Sequence, residues 1–196
     1  MIAGKPVLFT IGHSNHSFER FAELLARHAI ERIVDVRSFP RSRLPWFSRG
    51  EIEGRLGGVG IGYEFLGREL GGRDWVKSDG SSMELEEIIT AERFLAGLAR
   101  LQTMMQDGST CVMCAEAEAI DCHRTRFIAP CLSATTTILH ISSNGGLKTQ
   151  RAAEVQLVLP SLNQNASISL SPSARSRQPM PPPEQCTDLL LEARMP

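Results

Sequence analysis

Short apolar runs alternate with amphipathic segments from Val7 to Ile141, and that alternation narrows the folds open to this chain. Val7-Leu8-Phe9-Thr10-Ile11 reads as a first strand, apolar on both faces and therefore buried. Beyond the loop Gly12 to His16, Ser17 is placed to cap a helix, with Glu19 in the favourable first turn. Phe18, Phe21, Ala22 and Leu25 fall at i, i+3, i+4 and i+7, which gives this helix one apolar face ending near Ala29. Ile33 to Arg37 reads as a second strand, and Ser48 with Glu51 predicts a capping box for a short helix through Leu56. A third strand spans Gly60 to Leu66, and the stretch from Gly67 to Asp79 is glycine-rich and irregular. Thr90 is positioned to cap a helix striped by Phe94, Leu98, Leu101 and Met105 and ended by Asp107-Gly108. Thr110 to Ala115 is a fourth strand. Asp121 is placed to cap a helix from Cys122, in which Pro130 demands a kink or a restart. Thr136 to Ile141 is a fifth strand, Asn144-Gly145-Gly146 turns the chain, and Leu147 to Leu159 fits helix or strand equally.

This alternation predicts an α/β fold: three layers, with a mostly parallel sheet of about five strands and helices on both faces. The apolar content of 42% supplies a core for one domain over residues 1–159. Residues 160–196 are rich in Ser, Pro, Asn and Gln and read as a disordered low-complexity tail. A net charge of -1 argues against a broadly basic nucleic-acid surface. The run Val7 to Ile11 is too short for a signal or a membrane span, so no membrane association is expected. Five cysteines, an odd number without disulfide-framework spacing, point to a reducing cytoplasm.

The chemistry concentrates in Cys111 to Arg124, CVMCAEAEAIDCHR, which runs from strand through loop to helix start. In sheets of this kind ligands bind beyond the carboxyl ends of the strands. The residues there are His13 and Ser14, Arg37, then Cys114 and Glu116, with Cys122, His123 and Arg124 close by in sequence. Cys111 and Cys114 point to opposite faces of a strand, which excludes a thioredoxin-like pair. Cys122 at a helix start, beside His123 and Arg124, has the setting of a reactive thiol. Arg37 and Arg124 suit a carboxylate or phosphate; the competing reading pairs them with Asp35 or Glu116. Asp35 and Arg37, two residues apart, share a face of the sheet. Zinc through Cys114, Cys122, His123 and His13 is an alternative, but the C-x7-C-H spacing is not a standard one, and the expectation is no metal. No Walker loop, no Cys-x5-Arg phosphatase loop and no G-x-S-x-G elbow is present.

Taken together, TIGHSN at 10–15, DVRSFPRSR at 35–43, GIGY at 60–63, LGG at 70–72, MCAE at 113–116, CHR at 122–124 and HI at 140–141 form an ordered set. The set resembles the bacterial family known as domain of unknown function 488, over roughly residues 7 to 141. The resemblance implies a small single-domain α/β protein and supports the residue cluster, without naming a reaction. The chain departs from the family's pattern in two places. Lys77 to Ile89 lacks the aromatic stretch usual there, and Pro130 interrupts a helix usually continuous.

Two functions follow as expectations. One is a small cytoplasmic enzyme acting on an anionic, nucleotide-like substrate. Its catalytic candidates are Cys122, Glu116, His13, Cys114 and His123, and its substrate-binding candidates are Arg37, Arg124, Ser14 and Asp35. The other is a non-catalytic ligand- or nucleic-acid-binding module using the loop Arg37 to Arg49, which carries four arginines and no acid. No cofactor is indicated by sequence.

Overall fold

The computed structural model describes residues 5–150, except Asp74, Val76, Ser78, Ser82, Asp121 and the side chain of Leu85. The expected tail, and most of the ambiguous 147–159 segment, lie outside the described residues, as does the expected Asp121 cap.

Strands β1 (Val7–Gly12), β2 (Arg32–Asp35), β3 (Gly62–Phe65), β4 (Thr110–Cys114), β5 (Thr137–Ile141) and β6 (Leu147–Thr149) form one sheet in the order β3-β2-β4-β1-β5-β6. Every pairing is parallel except β5 with β6, which pair antiparallel. The sixth strand is a short, exposed edge beyond the expected five, brought back by a turn in which Ser142 N–H donates to the Gly146 carbonyl. β4 is buried at every position, as a central parallel strand covered on both faces must be.

Helices α1 (Phe18–Arg27) and α2 (Arg49–Gly58) cover one face. They pack Phe21, Leu24, Leu25, Ile52 and Leu56 against Ile11, Ile33, Cys111 and Met113. On the other face are α3 (Gly67–Leu70), α4 (Leu85–Thr90), α5 (Glu92–Asp107), a π turn (Arg124–Ile128) and α6 (Ala129–Leu132). Phe94, Leu98, Leu101, Ile128 and Leu132 from these elements meet Val34, Val112, Cys114 and Ile138 of the sheet. β1 and β4 are therefore neighbours whose chains leave toward opposite faces. That divergence opens a crevice at their carboxyl ends, where α/β sheets bind ligands.

Local signals held where nothing competed. Ser17 caps α1 through its side chain, which accepts from Arg20 N–H, and the helix gives way at Ala29, whose φ is 50°. Pro130 forces the restart its position implied: with no N–H to donate, it sits at the start of α6, behind the wider π turn. Three local expectations were displaced. Ser48 occupies the N-cap of α2, but its Oγ accepts from Ser42 N–H of the preceding loop, so no capping box forms. Thr90 closes α4 instead of opening α5; its hydroxyl donates to the Glu86 carbonyl one turn back. β2 stops at Asp35, two residues early, because the Asp35 carboxylate accepts the Arg37 N–H at 3.0 Å and turns the chain.

Phe21 is fully buried and meets Phe47 edge-on, with ring centroids 5.1 Å apart. Phe21→Ala should lower stability by about 3–5 kcal/mol in urea denaturation.

Candidate functional site

The crevice is built around a carboxylate that is wholly out of water. Asp35 accepts from Arg37 Nε at 2.8 Å, Arg37 Nη2 at 2.6 Å and Tyr63 Oη at 2.8 Å, besides the Arg37 N–H. Arg37 Nη1 reaches His13 Nε2 at 3.2 Å, and His13 Nδ1 lies 3.0 Å from the Ser14 carbonyl. The His13 ring also stacks on Phe47, with centroids 4.3 Å apart. Burial, with the Arg37 guanidinium alongside, lowers the His13 pKa to about 4, so the imidazole is neutral near pH 7. Burial opposes the charge of Arg37, and the Asp35 carboxylate more than restores it, which raises the pKa. The Tyr63 phenol is pushed well up, by burial first and by Asp35 second.

The loop after β4 is held from three sides. His13 and Ser14 donate their backbone N–H groups to the carbonyls of Cys114 and Ala115, at 2.9 and 3.1 Å. Arg124 Nη2 donates to the Glu116 carbonyl at 2.7 Å. Gly12 lies directly beneath that carbonyl, and any side chain there would collide with it. A loop clamped in this way carries its side chains at defined positions.

Those side chains form a cluster. Cys114, at the end of β4, hydrogen-bonds the Glu116 carboxylate. Cys122 Sγ lies 3.0 Å from Cys114 Sγ and 3.3 Å from Glu116 Oε2. His123 Nε2 lies 3.0 Å from the Val36 carbonyl, which can only accept, so Nε2 is the donor. Nδ1 faces the two sulfurs, 3.8 Å from Cys114 and 3.6 Å from Cys122. The hydrogen bond to Cys122, reinforced by burial, raises the Cys114 pKa well above the ordinary thiol range. Burial pushes the Glu116 pKa up, but hydrogen bonds from Cys114, its own backbone and Cys122, with His123 nearby, bring it below the usual value. The cluster thus pairs a Cys114 thiol that holds its proton with a Glu116 carboxylate that has lost its own.

A cleft of about 210 Å³ opens over this cluster, lined by Arg37, Ser38, Phe39, Arg41, Gly72, Arg73, Cys114, Ala115, Glu116 and His123. A second cleft, lined by His13, Ser14, Asn15, Arg41, Ser42, Arg43, Leu44 and Ala115, adjoins it along Arg41 and Ala115. Of the residues singled out from sequence, Cys114, Glu116, Cys122 and His123 converge, and Arg37 borders them. His13 and Ser14 lie on the second cleft. His13 is placed as a brace, with both ring nitrogens engaged. Asp35 is buried beneath Arg37, and Arg124 turns away to the loop carbonyls. Cys111 is sealed in the opposite core, where burial raises its pKa.

A family model described as Domain of unknown function DUF488 matches residues 17–129, more than half of the chain. The chain belongs to this family. The DUF488 match takes in the Asp35–Arg37 turn, the glycine pair and the whole Cys114–His123 cluster, and leaves β1 and His13 outside. No curated protein and no solved structure matches the chain.

Sequence reasoning missed Arg73, Phe39, Tyr63 and the role of Gly72. The one available signal was the LGG motif. Gly72 packs on His123, and a Cβ there would lie 2.8 Å from the His123 Cβ. Only a bare residue lets the following Arg73 reach the cleft beside the imidazole.

Two predictions follow from this geometry. Asp35→Ala strands the Arg37 charge in the interior and should cost about 3–5 kcal/mol, read from denaturant midpoints. Below pH 6.5 the unfolded chain takes up a proton at His13 that the folded chain refuses until about pH 4. Stability should therefore fall as pH drops through that window, by on the order of 3 kcal/mol, and His13→Asn should flatten this part of the acid limb.

Proposed function

We propose that this protein is an enzyme acting on a small anionic substrate in the cleft at the ends of β2 and β4. The observation that carries the reading is one cleft with a guanidinium rim, from Arg41 and Arg73, over a floor of Cys114, Glu116 and His123. Arg37 is already balanced by Asp35 and serves as a fixed wall. Arg41 and Arg73 are exposed and free to take a carboxylate or phosphate as planar forks. Phe39, 65% exposed at the same rim, offers a ring face for stacking, which suits a nucleotide-like ligand. On the floor, Glu116 is the group that stays ionised, so proton transfer falls to it. Cys114 lines the same floor beside it. A binding module built on the arginine loop has less support. Trp46 of that loop is half-buried and donates its indole N–H to the His16 carbonyl.

Thermal shift with nucleoside monophosphates and inorganic phosphate tests the reading. A ligand at about 100 times its dissociation constant should add about 2.7 kcal/mol of stability, and the gain should vanish in the Arg41→Ala, Arg73→Ala double variant. Glu116→Gln should keep the binding and slow turnover of the bound compound by about 100-fold or more. No stabilisation by any of these anions, or stabilisation unchanged in the double variant, would sink the reading.

A further inference from the structure

We infer that Cys114, Cys122, His123 and Glu116 form a binding site for a divalent transition metal, zinc by preference, in the floor of the cleft. One ligand atom from each of the four lies within 4.8 Å of all the others. The separation suits tetrahedral zinc, whose bonds of about 2.0–2.3 Å put ligand atoms about 3.5 Å apart. The two sulfur–nitrogen distances, 3.6 and 3.8 Å, already match. The sulfur pair at 3.0 Å needs to open by less than about 1 Å.

The chemistry of the four atoms agrees. Two thiolates and an imidazole select zinc over magnesium or calcium. His123 is oriented as metal-bound histidines are: the Val36 carbonyl holds Nε2–H and turns Nδ1 toward the sulfurs. Binding Zn²⁺ displaces the two thiol protons to solvent, and no other bond changes. A disulfide would use the sulfurs alone, whereas the imidazole and the carboxylate converge on the same point.

Cys114 and Cys122 are buried and His123 is half-buried, while Glu116 is exposed and lines the cleft. Three ligands are thus fixed, and Glu116 is the one a water or substrate atom would displace. Its release would free the carboxylate for proton transfer, a point that rests on the function proposed above. The metal site itself does not rest on it.

The test uses full-length protein, purified without a metal-affinity tag and under reducing conditions. Elemental analysis should find about one zinc per chain, falling to under about a tenth in Cys122→Ser and His123→Ala. Because those variants also alter the core, wild-type protein stripped by a chelator is titrated with cobalt(II). The expected product shows thiolate-to-cobalt charge transfer and intense tetrahedral visible bands, and Glu116→Gln should shift the visible bands while keeping the charge transfer. No zinc with no cobalt uptake, or a Cys114–Cys122 disulfide whose reduction restores no metal binding, overturns the inference. Zinc without phosphate or nucleotide binding leaves the metal site standing and removes the anion reading; anion binding without metal does the reverse.

Discussion

A carboxylate with no access to water must have its charge met from within, and Asp35 has it met by a backbone N–H, two nitrogens of one guanidinium and a phenol. The consequences spread outward from there. The Arg37 N–H bond ends β2. The guanidinium, held on two of its nitrogens, presents the third to His13, and His13 in turn is pinned on Phe47. Three strands are tied by one network: β1 through His13 and β2 through Asp35 at their carboxyl ends, and β3 through the phenol of Tyr63 near its start. Such an ion pair adds little net stability over an apolar filling, but losing one partner is costly. Its yield is a rigid wall for the cleft.

Against that wall sits a loop that would otherwise be free to move. The residues after β4 gain their order from backbone donors of His13 and Ser14, from Arg124, and from the bare face of Gly12. Arg124 is therefore a positioning residue. Its charge is spent on carbonyl oxygens of the same loop that carries Glu116. The two glycines at 71 and 72 act similarly on the far side, where Gly72 lets the chain close over His123. The reactive cluster is thus framed by residues with little chemistry of their own.

The strand order explains why everything meets here. β1 and β4 lie side by side while their continuations pass to opposite faces, so no helix among the described residues covers the gap between their ends. β2 delivers Arg37 to the same edge. The arginine loop follows directly and forms the partition between the two clefts.

The alternation of apolar runs, the caps and the breakers were enough to determine an α/β sheet with helices on both faces, the Ser17 helix start, the turn at Asn144-Gly145-Gly146 and the restart at Pro130. These are local decisions, made by backbone sterics, period and missing donors, and so are written in neighbouring residues. Ser48 and Thr90 show the limit. Each is a good cap by type, but a nearby backbone group from another turn claimed its hydroxyl. The site divides the same way. Cys114, Glu116, Cys122 and His123 stand out in sequence because they crowd into one stretch. Which of the polar residues face the cleft was decided only in three dimensions. Asp35 took Arg37, the loop carbonyls took Arg124, and Arg37 with the Ser14 carbonyl took His13. A side chain's partner depends on which strand lies next to its own, and strand order is a property of the packed sheet.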